Sequence, residues 1–210
     1  MNSSKKPVAV IIGATSKWQS DGRNTKLAHG TELDDQDLPV GMRWGIGGAV
    51  AQKFAQEGYF VVMTTRTAAN AAALEAAIKD QGGDGMVVEL DLVSESSIST
   101  AFETIRRKAG APEILVYNAG YLEGRDLPPG KELLEHIPIE MFDTAQHIAS
   151  RGPFLVAKEV LPTMREKGEG SFLISNNNFS LRGRQRKTGE SLYYPRVMMR
   201  TLAQVLTEEY

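Results

Sequence analysis

Two glycine-rich segments carry the residue types that bind a phosphate. The β-branched run Val8-Ala9-Val10-Ile11-Ile12 ends at Gly13-Ala14-Thr15-Ser16, and Gly45-Ile46-Gly47 opens a helical pattern further along the chain. A glycine-rich turn between a strand and a helix can bind a pyrophosphate through exposed backbone amides and the positive end of the helix dipole. Glycine suits this role because a Cβ would keep the backbone away from the phosphate. The alternative is that these glycines serve only the packing of the helix on the strand.

These segments belong to a chain in which strand and helix patterns alternate. Short apolar runs predict parallel strands that are covered on both faces, and stripes of helical period separate them. The predicted strands are 8–12, 59–63, 86–90, 114–117 and 171–175, and the predicted helices are 47–56, 68–79, one capped by Ser94 or Ser96, 139–166 in two parts, and 195–209. This alternation predicts an α/β fold, a doubly wound parallel sheet between two layers of helices.

One polar stretch interrupts the pattern. Residues 17–44 show no sustained period and contain Asp21-Gly22, His29-Gly30 and Pro39, so we predict an inserted loop there. Long loops of this kind inside a domain are usually functional or disordered. No internal repeat or linker is evident, and we predict one domain over residues 1–210.

Composition excludes several classes of function. The chain has 24 Lys and Arg against 26 Asp and Glu, and the local basic group Arg182, Arg184, Arg186 and Lys187 is interpreted as a solvated surface, so we predict no nucleic-acid partner. Cysteine is absent, which rules out disulfides and thiolate metal sites, and we predict no metal. No apolar run approaches the roughly 20 residues that span a bilayer, so we expect a soluble cytoplasmic protein without a membrane partner.

A third motif joins the two glycine segments into a known pattern. Asn118-Ala119-Gly120 follows the apolar run Ile114-Leu115-Val116. Together with Gly13, Gly45 and Gly47, it resembles the nucleotide-binding half of the short-chain dehydrogenase/reductase family, over about residues 7–210. In that family the first two glycines of the turn are four positions apart, whereas Gly13 and Gly45 are 32 apart, so about 28 residues are inserted here.

The resemblance implies a Rossmann-like fold and an NAD(P) cofactor. Thr64-Thr65-Arg66 stands where NAD-binding members carry an acid for the ribose hydroxyls. An arginine can bind a phosphate in a bidentate manner, so we expect NADP(H) to be preferred over NAD(H), although Arg66 could instead be a surface residue. Asp91-Leu92 matches the family's pair beside the adenine, with a helix-capping aspartate as the alternative. The cofactor-binding residues predicted in this way are Gly13, Thr15, Ser16, Gly45, Ile46, Gly47, Arg66, Asp91, Leu92, Asn118, Ala119 and Gly120.

The catalytic half of the chain departs from the family. Tyr193 aligns with the proton-donating tyrosine, but the lysine expected four residues later is Val197. The family's serine falls near Asn177, whose amide could still donate to a carbonyl oxygen, with Ser175 and Ser180 as substitutes. The helix asparagine falls at Ala149. A tyrosine without a nearby cation is a poor base at neutral pH but can still donate a proton, so reduction should suffer less than oxidation.

Three functions therefore stay open. The first is an NADP(H)-dependent oxidoreductase that reduces a small carbonyl or related substrate, with Tyr193 and Asn177 as its catalytic residues and with Arg196 as a conceivable substitute for the lysine. The second is an inactive nucleotide-binding homologue that acts as a sensor or partner subunit. The third is a scaffold in which the insertion blocks the nucleotide.

The resemblance also implies a homodimer or homotetramer through helices near 148–164 and 197–206, although the apolar stripe Met198, Met199, Leu202 and Leu206 could equally be core. Relatives continue with further strands, so the C-terminal strands are expected to be absent from residues 1–210.

Overall fold

A five-stranded parallel sheet forms the centre of the molecule. The computed structural model describes residues 6–17, 19, 43–121, 127, 131, 133–176 and 194–210. The strands are β1 Val8–Ile12, β2 Phe60–Thr65, β3 Asp84–Glu89, β4 Ile114–Tyr117 and β5 Ser171–Ile174. Their order across the sheet is β3-β2-β1-β4-β5, and every neighbouring pair is parallel. The sheet confirms the predicted doubly wound α/β fold.

Helices cover both faces of this sheet. They are α1 Gly45–Gln56, α2 Ala69–Asp80, α3 Glu95–Lys108, α4 Ile139–Gln146, α5 Gly152–Lys167 and α6 Val197–Glu209. The helix predicted over 139–166 in two parts is α4 and α5, joined by a π-helical turn at His147–Arg151. A short 3₁₀ turn, Tyr194–Arg196, leads directly into α6. This turn accounts for the predicted start of the last helix at residue 195.

Burial explains why the strands are continuous apolar runs. All five residues of β1 are buried, as the central strand of a sheet covered on both faces requires. On one face α1 and α2 enclose a core cluster that includes Trp44, Leu74 and Ile78. On the other face α3, α5 and α6 enclose a larger cluster that includes Phe102 and Met199.

Local signals fix several helix ends. Ser94 is the N-cap of α3, where its hydroxyl accepts a hydrogen bond from the backbone N–H of Ser97, so of the two predicted caps Ser94 is the correct one. Gly168 ends α5 in the left-handed conformation at φ 69°, which glycine adopts without a Cβ clash.

The apolar stripe of the last helix divides between core and surface. Met199 is fully buried, whereas the neighbouring Met198 is 53% exposed. Leu206 packs partly buried against the core cluster. Met199 and Leu206 therefore belong to the core, the alternative that the sequence left open for this stripe.

The segment predicted as an inserted loop has one end inside the core. Residues 18 and 20–42 lie outside the described part of the chain, but Trp44 is buried and an added Cβ on Gly48 would lie 2.4 Å from its Cβ. Directly after Trp44, α1 begins at Gly45, two residues before the predicted start. Among the described residues, no helix has the length and apolar character needed to cross a membrane.

Candidate functional site

The end of β1 and the start of α1 lie against each other although a long segment separates them in sequence. An ideal Cβ on Gly47 would lie 2.4 Å from the carbonyl oxygen of Gly13 and 2.7 Å from that of Ala14. An ideal Cβ on Gly13 would lie 2.7 Å from the Cα of Ala119, at the end of β4. The structure therefore brings Gly13, Gly47 and Ala119 together, and this close approach requires glycine at positions 13 and 47.

A cavity of about 350 Å³ opens at the carboxyl ends of the strands, beside this junction. This is the edge at which open α/β sheets bind their ligands. Residues at or just after the ends of four strands contribute to the cavity, and its lining residues are Ile12, Gly13, Thr15, Ser16, Lys17, Thr64, Thr65, Arg66, Thr67, Asn70, Leu90, Asp91, Leu92, Ala119, Gly120, Tyr121 and Ile148.

Most of the residues predicted to bind a cofactor line this cavity, and four do not. Those in the lining are Gly13, Thr15, Ser16, Arg66, Asp91, Leu92, Ala119 and Gly120. Gly45, Ile46, Gly47 and Asn118 are outside it, and the side chain of Ile46 is 70% exposed. Gly47 and Asn118 instead hold together the elements that form the cavity wall.

The turn after β1 uses part of its hydrogen-bonding capacity within the protein. The backbone N–H groups of Gly13 and Ala14 donate to the hydroxyl and carbonyl oxygens of Thr64, over 3.3 and 3.0 Å. The hydroxyl of Thr15 donates to the carbonyl oxygen of Asn70 over 2.6 Å. The backbone amides of Gly13 and Ala14 are thus used within the protein, and Trp44, the N-cap of α1, makes no side-chain capping bond.

Two basic side chains contribute to the cavity at the ends of β1 and β2. Arg66 was predicted from the sequence, but Lys17 was not. Lys17 directly follows the glycine turn, and its inclusion in the predicted insertion concealed its place beside the turn. Both are side chains of the kind that binds a phosphate.

Asp91 does not cap a helix. Its carboxylate accepts the backbone N–H of Val93 over 3.1 Å, and the cap of α3 is Ser94. The capping alternative for Asp91 is therefore wrong, and its side chain lines the cavity at the end of β3.

Asn118 braces the centre of the sheet. Its side-chain amide donates to the carbonyl oxygen of Gly13 over 3.0 Å, and its side-chain carbonyl accepts the hydroxyl of Ser175 over 2.7 Å. One side chain thus links the ends of β1, β4 and β5. The hydroxyl of Ser175, considered as a substitute catalytic group, is engaged in this link.

The predicted catalytic residues Tyr193 and Asn177, together with Ser180, lie outside the described residues. Ala149, at the position of the family's helix asparagine, is buried in the π-helical turn and offers no polar side chain. Val197, at the lysine position, is 42% exposed. A ring nitrogen of His147 lies 2.7 Å from the carbonyl oxygen of Asp143, one helical turn earlier.

Tyr117 is the titratable group most altered by the fold near this site. Its side chain is fully buried, and its hydroxyl donates to the carbonyl oxygen of Ile148 over 2.5 Å. Burial raises the pKa of Tyr117 well above its usual value, and the positive charge of Arg196 opposes that rise. Tyr117 therefore stays protonated and acts as a hydrogen-bond donor.

The residues present fit a dinucleotide better than a metal ion. The cavity runs across the ends of β3, β2, β1 and β4, with basic residues after β1 and β2 and a close backbone approach at the end of β1. Within the described ranges, no group of three or more His, Asp or Glu residues could hold a metal ion. The fold and the cavity define a nucleotide-binding protein of the Rossmann type.

The chain belongs to the short-chain dehydrogenase/reductase family of oxidoreductases. The sequence model of the family described as "Enoyl-(Acyl carrier protein) reductase" matches residues 40–188. The chain is similar to "Uncharacterized oxidoreductase YxbG" of Bacillus subtilis, with 32% identity over 73% of this chain and 53% of that protein. It is also similar to the "3-oxoacyl-[acyl-carrier-protein] reductase" of Bos taurus, with 32% identity over 71% of this chain and 57% of that protein. The chain thus spans about half the length of these curated relatives.

Solved structures share the fold. One is a metagenomic short-chain oxidoreductase in complex with NADP, with a TM-score of 0.71 and 22% identity over 97% of this chain and 76% of that chain. Another is L-sorbose reductase from Gluconobacter frateurii in complex with NADPH and L-sorbose, with a TM-score of 0.72 and 19% identity over 98% of this chain and 64% of that chain.

Proposed function

We propose that this protein is an NADP(H)-dependent oxidoreductase that reduces a small carbonyl or related substrate. The observation that carries the proposal is the pair Lys17 and Arg66 in the lining of the cavity. The stretch from Thr64 to Thr67, at the end of β2, contains no carboxylate that would repel a phosphate on the adenosine ribose. A cationic pair at this position favours NADP(H), which carries that phosphate, over NAD(H).

The substrate class rests on the relatives. The Bos taurus protein is named for a 3-oxoacyl group, which is a carbonyl compound, and the Gluconobacter protein was solved with the sugar L-sorbose. We propose that Tyr193 donates the proton and that Asn177 holds the substrate oxygen. Val197 stands in the position of the family's lysine, and we propose that reduction, which needs the tyrosine only as a proton donor, is the favoured direction.

Calorimetric titration with NADPH and NADH tests the cofactor. The natural protein should bind NADPH at least tenfold more tightly than NADH, and Arg66→Gln should lose most of this preference while its affinity for NADH is retained. Arg107→Gln, an exposed arginine in the last turn of α3, is the matched control and should behave as the natural protein. Equal affinity for NADPH and NADH in the natural protein would contradict the proposed preference.

A second candidate is a nucleotide-binding sensor or partner subunit without catalysis. It is favoured by Ala149 and Val197, which replace two polar groups of the family with apolar side chains. Tyr193→Phe separates the two functions in an assay of NADPH oxidation with small ketones and aldehydes. A reductase loses nearly all turnover in this variant, whereas a sensor shows no turnover in either form and binds NADPH equally in both.

The assembly and location are also proposals. Apolar side chains of α5 and α6 are exposed, namely Phe154 at 52%, Met198 at 53% and Val205 at 41%. We propose that these helices form the contacts of a homodimer or homotetramer in the cytoplasm. Light scattering should give a mass of at least two chains, and Met198→Glu should reduce it if α6 lies in the interface.

A further inference from the structure

Arg196 is held at the carboxyl edge of the sheet, at the end of β5. The side-chain amide of Asn176, which follows β5, donates to the carbonyl oxygen of Arg196 over 2.9 Å. The preceding Pro195 is buried, and the 3₁₀ turn formed by these residues packs against the π-helical turn at His147–Arg151. The main chain of Arg196 is therefore fixed by two separate parts of the fold.

The guanidinium of Arg196 lies next to Gly120, although Arg196 itself is not part of the cavity lining. An ideal Cβ on Gly120 would lie only 1.7 Å from Arg196 Nη2, so the guanidinium occupies the space that a side chain at position 120 would fill. Gly120 itself lines the cavity. The positive charge of Arg196 also acts to lower the pKa of the buried Tyr117, although burial raises that pKa by more. The charge therefore lies near the end of β4.

The sheet order determines which half of a dinucleotide this charge would face. Arg66 and Asp91 follow β2 and β3, on one side of β1, whereas Gly120 follows β4 on the other side. If Arg66 binds the phosphate of the adenosine half, as in the function proposed above, the nicotinamide half extends toward β4. Arg196 is then on the nicotinamide side.

We propose that Arg196 binds the nicotinamide half of the cofactor and favours its reduced form. A guanidinium donates charge-assisted hydrogen bonds to hydroxyl and phosphate oxygens, which both redox forms of the cofactor carry. The nicotinamide ring is positively charged when oxidised and uncharged when reduced. A fixed positive charge on this side therefore repels the oxidised ring and leaves the reduced ring unaffected. The inference rests on the proposed binding of NADP(H).

The test measures the binding of three ligands to four proteins. Dissociation constants for NADPH, NADP⁺ and the adenosine bisphosphate that forms one half of NADP are measured for the natural protein, Arg196→Lys, Arg196→Gln and Arg200→Gln. Arg196→Gln should bind NADPH about tenfold more weakly, the loss typical of a charge-assisted hydrogen bond. Its preference for NADPH over NADP⁺ should fall, and its affinity for the adenosine bisphosphate should stay within about twofold. Arg196→Lys should lie between, and Arg200→Gln, one turn along α6, should match the natural protein.

The alternative outcomes separate this inference from the proposed function. Unchanged NADPH binding in Arg196→Gln overturns the inference, as does an equal loss of all three ligands together with a lower melting temperature, which indicates a structural role. If Arg196→Gln binds NADPH and NADP⁺ more weakly by the same factor, the proposed preference of Arg196 for the reduced form is overturned. If the natural protein binds neither NADPH nor the adenosine bisphosphate, the proposed function itself fails.

Discussion

The hydroxyl of Tyr117, at the end of β4, donates a hydrogen bond to the carbonyl oxygen of Ile148 in the π-helical turn. The change to i→i+5 bonding displaces carbonyl groups from the regular α-helical ladder, and a side-chain donor can satisfy one of them. An ideal Cβ on Gly152 would lie 2.6 Å from the same hydroxyl, so the glycine leaves room for the phenol. Tyr117 thus ties the central sheet to the break between α4 and α5.

Removal of this hydroxyl should destabilise the protein. Tyr117→Phe leaves the carbonyl oxygen of Ile148 without its buried donor, and we expect a loss of about 1–2 kcal/mol in the free energy of unfolding. Urea denaturation followed by circular dichroism measures it. Tyr59→Phe is the control, since the described contact of Tyr59 is an edge-to-face packing of its ring on Phe54, and its effect should stay below about 0.5 kcal/mol. Equal stabilities of the two variants would contradict the role of the hydroxyl.

Alkaline pH provides a second prediction for the same residue. Burial raises the pKa of Tyr117 above that of an unfolded tyrosine, about 10, so only the unfolded state releases this proton near that pH. The contribution of Tyr117 is complete below about pH 10 and decreases as the pH rises further. The natural protein should therefore lose more stability than Tyr117→Phe between about pH 9 and pH 11, measured by urea midpoints. Parallel decreases would show that Tyr117 does not control the alkaline transition.

The brace made by Asn118 should be measurable as a coupling energy. Asn118→Ala removes bonds to both Gly13 and Ser175, and we expect it to cost about 2–3 kcal/mol, whereas Ser175→Ala should cost about 1 kcal/mol. Because the two variants share one bond, the double variant should lose about 1 kcal/mol less than the sum of the single variants. Thermal and urea unfolding give these values. Strict additivity would indicate that the Asn118–Ser175 bond adds nothing to stability.

Much of the fold was predictable from local patterns. The apolar run at residues 8–12 and the motif Asn118-Ala119-Gly120 identified the central strands, because buried parallel strands leave a clear apolar signal. The start of α1 was predicted two residues too late. Trp44, the residue before α1, is buried and packs on Gly48. The helix brings these two residues together, so their separation in the sequence does not show the contact.

The site was predicted less completely than the fold. Arg66 and Asp91 were predicted from the resemblance to the family, which matches them to positions after the second and third strands, and both line the cavity. Lys17 was missed because it stands at the start of a polar segment without period. The position of the Arg196 side chain depends on the way the turn before α6 packs against the residues that follow β4 and β5, and no spacing in the sequence reports such a contact.

Gly47 offers the sharpest test of the junction between β1 and α1. Gly47→Ala places a Cβ within 2.4 Å of the carbonyl oxygen of Gly13, and a backbone atom cannot move aside as the end of a flexible side chain can. We expect a loss of about 3 kcal/mol or more in the free energy of unfolding. Gly82→Ala is the matched control. Gly82 has φ 80° and nothing within 4 Å of its added Cβ, so the left-handed backbone alone should cost about 1 kcal/mol.

Chemical denaturation of both glycine variants decides whether the close approach exists in solution. If Gly47→Ala is no less stable than Gly82→Ala, then Gly13 and Gly47 are not in contact, and the long segment between them separates the strand from the helix. If Gly47→Ala is strongly destabilised, the two halves of the interrupted glycine motif are joined in the folded protein. Binding of NADPH to the folded fraction of Gly47→Ala then separates packing from cofactor contact, because a glycine that serves only packing leaves that affinity unchanged.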